Sequence, residues 1–220
     1  MSCQDRVDRA PDGWSGRSSV RRWLLAAGAV LAGPALVGSV PAGAGNPASD
    51  ITMVDNRFAP VVAAVAQGQS VEFTNFGQVL HDARDGTGLD LFTTGYIEPP
   101  ETATIGPLPG AGVYRYYCTF HPEMVGRVRV PVRASRTEVP AGSPVTVRWA
   151  ASRASTGLVF DVQRRRPGTD RFVDWRSGVT AGSARFWPSV RGRWAIRARV
   201  RQQAGDASSD WSPPRPIRVT

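Results

Sequence analysis

The run Tyr117-Cys118-Thr119-Phe120-His121-Pro122-Glu123-Met124 puts a thiol, an imidazole and a thioether within one loop, spaced Cys-x2-His-x2-Met. With one more imidazole, these are the donors of a copper site in which a thiolate and two imidazoles form a plane and a thioether is a weak, long axial ligand. Soft sulfur favours Cu(I), while imidazole also suits Cu(II), so such a site accepts both states with little rearrangement. The alternative for Cys118 is a buried small hydrophobe, the usual fate of a lone cysteine. The chain has two cysteines, Cys3 and Cys118, and two histidines, His81 and His121. Cys118 therefore stands three residues from half of all the imidazoles present, which weighs against a bystander. Zinc also takes cysteine and histidine, but structural zinc sites usually need at least two cysteines, and a thioether is a poor zinc ligand. The donor set favours copper.

Such a loop needs a rigid frame, and the flanking sequence reads as short strands. Ile51–Val54, Ser70–Thr74 and Val113–Cys118 are rich in β-branched and aromatic residues. Pro60, Gly68, Gly95, Pro99-Pro100, Gly106 and Pro109-Gly110 punctuate them. Alternation puts Tyr114, Tyr116 and Cys118 on one strand face, so Cys118 is expected at the end of a strand with its neighbours packed beneath it. Met53 falls within a predicted strand and reads as core filler.

This segment, residues 50–131, resembles the cupredoxin family, specifically its small plastocyanin- and amicyanin-like members. The resemblance is carried by Asn56-Arg57-Phe58-Ala59-Pro60, by Val65 to Asn75, by His81, and by Gly112 to Val128 with the Cys-x2-His-x2-Met loop inside it. It implies a Greek-key β-sandwich with one type 1 (blue) copper ion held by His81, Cys118, His121 and Met124. It also implies that Asn75 ties the two ligand-bearing loops together and that His121 offers the edge through which electrons pass. Val79, Phe120 and Pro122 would then border an apolar docking surface. One departure is Asp82, where the plastocyanin-like proteins usually carry Asn after the first histidine ligand. A carboxylate there either lowers the potential of the metal or faces solvent.

Around this segment the chain divides by composition. Residues 1–22 are polar and include Arg17, Arg21 and Arg22; an apolar stretch runs from Trp23 to Val40, and Ala42-Gly43-Ala44 follows. That is the pattern of an export signal over residues 1–44. Arg21-Arg22 before Trp23-Leu24-Leu25 resembles a twin-arginine signal, with Val20 where Ser or Thr is usual. An ordinary secretory signal and an uncleaved anchor are the alternatives. Cleavage would leave one cysteine, so no internal disulfide, and no transmembrane helix, because later apolar runs are short. The expected location is periplasmic, envelope-associated or extracellular.

Residues 45–131 carry five arginines against nine carboxylates, whereas residues 132–220 carry seventeen arginines against six, which sets a boundary near residues 131–135. We expect a copper domain over 45–132 and a second domain over 133–220. In the latter, Val145–Trp149, Phe160–Arg164 and Trp194–Val200 alternate cleanly, with turns at Pro167-Gly168, Ala181-Gly182 and Arg191-Gly192. Trp149, the run Gly192 to Val200 and Ser208-Ser209-Asp210-Trp211-Ser212-Pro213 resemble a fibronectin type III domain, an immunoglobulin-like sandwich. The expected class is all-β throughout. Trp175 and Trp187 read as core or face packing. Arg164-Arg165-Arg166, Arg171, Arg176, Arg191, Arg193, Arg197, Arg199 and Arg201 form either a solvated strand face or a surface for anionic cell-envelope polymers, membrane headgroups or an acidic redox partner.

Enzyme classes fall away. Multicopper oxidases and copper nitrite reductases need further histidine-rich sites, and no third histidine exists here to serve them or a general base. Nucleic-acid binding is not expected in an exported chain without a nucleic-acid module. The preferred expectation is a one-electron carrier serving a redox partner protein. The alternatives are an extracytoplasmic copper-binding or delivery protein, and an adhesion protein whose copper stiffens the fold.

Overall fold

In each strand, alternation of apolar and polar side chains decides which face turns inward. The computed structural model of the protein describes residues 49–220, so the export segment expected over 1–44, with Cys3, lies outside the described residues. Among the described residues no helix is long and apolar enough to cross a membrane. The described residues are all-β, as their alternation predicts.

The first half contains β1 Ser49–Val54, β2 Arg57–Ala59, β3 Val62–Ala64, β4 Val71–Asn75, β5 Arg84–Asp85, β6 Thr102–Ile105, β7 Gly112–Tyr117 and β8 Val125–Val130. They form two four-stranded sheets, in the orders β2-β1-β4-β6 and β3-β8-β7-β5. The pairs β1·β4 and β3·β8 are parallel. Phe58 and Phe73 from the first sheet meet Tyr116 of the second edge-on, at centroid separations of 4.7 and 5.4 Å. Such aromatic contacts stabilise beyond simple area burial. Met53 is fully buried on β1, as core filler should be. Tyr116 pairs with Gly126 across the β7·β8 ladder. A Cβ at Gly126 would overlap the Tyr116 ring and hydroxyl, so only glycine lets the ring lie flat there.

The second half contains β9 Arg133–Ala134, β10 Glu138–Val139, β11 Val145–Arg148, β12 Leu158–Arg165, β13 Phe172–Val179, β14 Ser183–Phe186, β15 Gly192–Gln202 and β16 Arg215–Val219. A five-stranded sheet runs β10-β16-β15-β12-β13 and a three-stranded sheet β14-β11-β9. Trp149, Trp175, Phe186 and Trp194 pack in series edge-to-face, with centroids 5.9, 5.2 and 5.2 Å apart. Trp175 thus packs as expected, whereas Trp187 is 56% exposed and stands outside the core.

Several arginines of this half, those of β15 above all, are engaged by side-chain partners. Asp161 receives Arg199 and Arg201 at 3.2 and 2.9 Å. Trp211 lies beneath both the Arg197 and Arg199 guanidiniums, at 4.8 and 4.7 Å, and Arg176 covers Trp175. Cation–π contact of this kind lets a planar guanidinium sit on a sheet face at low desolvation cost.

The two halves are joined by hydrogen bonds. Gln67 donates from Nε2 to the carbonyls of Pro131 and Arg148, at 2.8 and 3.0 Å. Val113 and Asp210 exchange backbone bonds of 2.9 and 3.0 Å. At Gly110 a Cβ would stand 2.6 Å from the Phe160 ring, so the backbone approach there requires glycine. All described residues fall in one compact unit.

Candidate metal centre

Cys118 leaves the end of β7 as the alternation of Tyr114 and Tyr116 predicts, and it is fully buried. The loop then turns back on itself. Met124 N donates to the His121 carbonyl at 2.8 Å, and Cys118 N donates to the Met124 carbonyl at 3.0 Å, so all three residues share one hydrogen-bonded turn. Met124 is 1% exposed, and β8 begins directly after it. His81 comes from a separate segment, held against Ile97 by reciprocal backbone bonds of 3.3 and 2.8 Å.

These elements bring three of the four expected donors together. The Nδ1 atoms of His81 and His121 stand 3.7 and 3.6 Å from Cys118 Sγ, and the three donor atoms lie within 4.8 Å of one another. With bonds of roughly 2.0–2.3 Å, the range for nitrogen and sulfur on a first-row ion, a coplanar thiolate and imidazole stand about 3.7 Å apart. The residues therefore fit a single ion. His81 is fully buried, and its Nε2 has no partner among the described residues. His121 is only partly buried, so one imidazole is sealed inside and the other borders solvent.

Burial, then the charge of His121, lowers the His81 pKa, outweighing the carboxylates of Asp55 and Asp82. Its imidazole therefore stays neutral and ready to donate a lone pair at neutral pH. Burial pushes the Cys118 thiol up, although the backbone N–H groups of Asp82, Phe120 and His121 favour the thiolate. In the absence of a cation the sulfur keeps its proton; a bound cation takes the proton's place.

Asp82 is the residue whose role the sequence reading did not find. It is 3% exposed, not solvent-facing. Its carboxylate accepts from Thr119 N at 2.6 Å and from Thr119 Oγ1 at 2.7 Å. This is the direct tie between the His81 segment and the Cys118 loop. Asn75, expected to make that tie, does something else. Its Nδ2 donates to the Val79 and Ile97 carbonyls, both at 2.8 Å, and its Oδ1 accepts from Gly77 N at 2.9 Å. Asn75 thus shapes the approach to His81 and leaves the cysteine loop to Asp82. The signal for Asp82 was present as the departure from Asn, but its partner, 37 residues away, was not.

Exposed apolar side chains flank His81 and His121 in the sequence. Val79 and Phe120 are 47% and 44% exposed, beside exposed Pro122. Tyr96, 71% exposed, packs on Phe120 at 5.2 Å and adds to the residues expected from sequence.

No protein family and no curated protein matches the chain. Among solved structures, it is similar to a purple cupredoxin from Nitrosopumilus maritimus, at 26% identity, covering 37% of this chain and 98% of that one with a TM-score of 0.35. It is also similar to amicyanin. One reduced variant shows 22% identity over 39% of this chain and 83% of that one, TM-score 0.36. A second reduced variant shows 23% identity over 38% and 81%, TM-score 0.35.

Proposed function

We propose that this chain is an exported type 1 copper protein of the cupredoxin kind, working as a one-electron carrier and not as an enzyme. The observation that carries the reading is the convergence of Cys118 Sγ with the Nδ1 atoms of His81 and His121 at the junction of two separate segments. Copper bound there would supply single-electron chemistry between Cu(II) and Cu(I). His81, Cys118, His121 and Met124 are the residues that would hold it.

The chain's own contribution is to keep those donors still. The Cys118–Met124–His121 turn and the Asp82–Thr119 bonds fix both donor-bearing segments, so little protein rearrangement accompanies a change of charge. Burial of His81 and Cys118 keeps water from the site. His121 sits at the boundary, flanked in sequence by exposed Phe120 and Pro122, with Tyr96 packed on Phe120; a redox partner protein would approach there.

The test is optical. Copper-loaded protein is expected to be intensely coloured by thiolate-to-copper charge transfer and to bleach and recover in an anaerobic redox titration. Cys118→Ser should abolish the colour, and Met124→Gln should keep a coloured site of lower potential. A colourless copper complex of the native chain would sink the reading.

A further inference from the structure

Residues 45–131 are acidic by count, yet the fold puts four of their five arginines on one sheet. Arg84 on β5, Arg115 on β7, and Arg127 and Arg129 on β8 all point outward from one sheet. The other outward positions of that sheet, Val62, Ala64, Val113, Tyr117 and Val125, carry no carboxylate. Arg84, Arg127 and Arg129 have no side-chain partner among the described residues.

This basic face continues into the second half. A groove of about 410 Å³ lies between Arg115 and Arg127, with Tyr117, Pro122 and Val125 in its lining. A second groove, of about 400 Å³, lies between Arg129 and Arg197, floored by Trp211 and Pro213. No carboxylate lines either groove. Arg127 and Arg129 are two residues apart on the same side of β8, and Val113 pairs with both Arg129 and Asp210, so the grooves adjoin across the seam. Asp210 lies beside the second groove, 3.5 Å from Arg115, with both side chains about half exposed; that pair cancels one charge, and Arg84, Arg127, Arg129 and Arg197 keep the face positive.

We propose that the two grooves form one docking surface for a protein partner whose contact face is acidic and carries apolar side chains. The charge sets the sign of the partner, and the apolar floors set its class. Val125 is 51% exposed between guanidiniums, and aromatic side chains with arginine around a dry apolar centre make up the core of protein interfaces. A phosphodiester polymer is satisfied by guanidinium alone and gains nothing from Val125, Pro122 or Pro213. The surface borders the metal centre, because Tyr117 precedes Cys118 and Val125 follows Met124. It needs no metal to form, so its failure and that of the copper reading are separately visible.

The experiment titrates the metal-free full chain, labelled for amide NMR, with a soluble peptide of mixed Glu, Leu and Tyr. Poly-glutamate and polyglycerol phosphate are titrated in parallel. The mixed peptide is expected to shift Arg115, Tyr117, Val125, Arg127, Arg129 and Trp211, and to weaken at least about tenfold as salt rises from about 20 to 200 mM. Arg127→Glu with Arg129→Glu should cost at least about tenfold in affinity, and Val125→Ser about fivefold. Arg191→Glu with Arg193→Glu, outside both grooves, should leave binding unchanged. Thermal melts confirm that each variant is folded. Absence of shifts on these residues overturns the proposal. So does equal binding of polyglycerol phosphate that ignores Val125→Ser, which would make the face a general polyanion surface.

Discussion

Asp82 follows the buried His81 and reaches across to Thr119, the residue after Cys118, so one carboxylate ties the two segments that carry the candidate ligands. Its two short bonds are charge-assisted and nearly dry, the kind worth most to a fold. Asp82→Ala is expected to lower stability by about 2 kcal/mol in urea unfolding. Asp82→Asn should lose less than half of that, because an amide oxygen still accepts from Thr119 N. Asp161 serves the second half in a comparable way. Burial alone would raise its pKa, but the Gly178 N–H and the Arg201 and Arg199 guanidiniums outweigh burial and hold it below the ordinary 3.8. A depressed carboxyl contributes stability above its unfolded value and loses it as the pH falls through the lower folded value. Unfolding midpoints should therefore drop as pH is taken below about 4, and Asp161→Asn should flatten that acid branch while costing about 2 kcal/mol at pH 7.

Among the elements, the β7·β8 pair does most to define the candidate metal centre, since its two strands enter and leave the Cys118–Met124 loop. Its register depends on Tyr116 lying over Gly126. Gly126→Ala should force the ring aside and destabilise the protein by roughly 1–3 kcal/mol, the usual cost of overpacking. Thermal unfolding checks this, and copper affinity should fall in step. β7 was legible from sequence because it is a short run of β-branched and aromatic residues in which Tyr114, Tyr116 and Cys118 fall at period two. β13 was not. As an edge strand with little buried surface on either face, it has no apolar alternation to read. The arginines of β15 were read as either a solvated strand face or a surface for anionic partners; Trp211, on the segment after β15, and Asp161, on β12, cover and neutralise part of that face.

For the molecule as a whole, the composition boundary near residues 131–135 marks a change of sandwich and not a free hinge. Gln67 spans that boundary by donating to carbonyls on both sides, and the Gly110 and Val113 contacts add a second seam. The described residues should unfold in a single calorimetric transition. Gln67→Ala leaves two carbonyls short of a donor and should lower the midpoint at a cost of about 1–3 kcal/mol. Two resolved transitions in the native chain would show the seam to be weak.

The amino-acid sequence by itself determined the donor chemistry. With two histidines and one cysteine beyond the apparent signal, His81, Cys118, His121 and Met124 were the available candidates, and residue type and spacing are local properties. Local alternation likewise determined the all-β class and the burial of Tyr114, Tyr116 and Cys118. Tertiary structure decided what depends on separation in space. It put His81 Nδ1 beside Cys118, gave the loop tie to Asp82 instead of Asn75, and gathered four of the five arginines of an acidic segment on one outward face. Those outcomes rest on contacts between residues tens of positions apart, which no local pattern encodes.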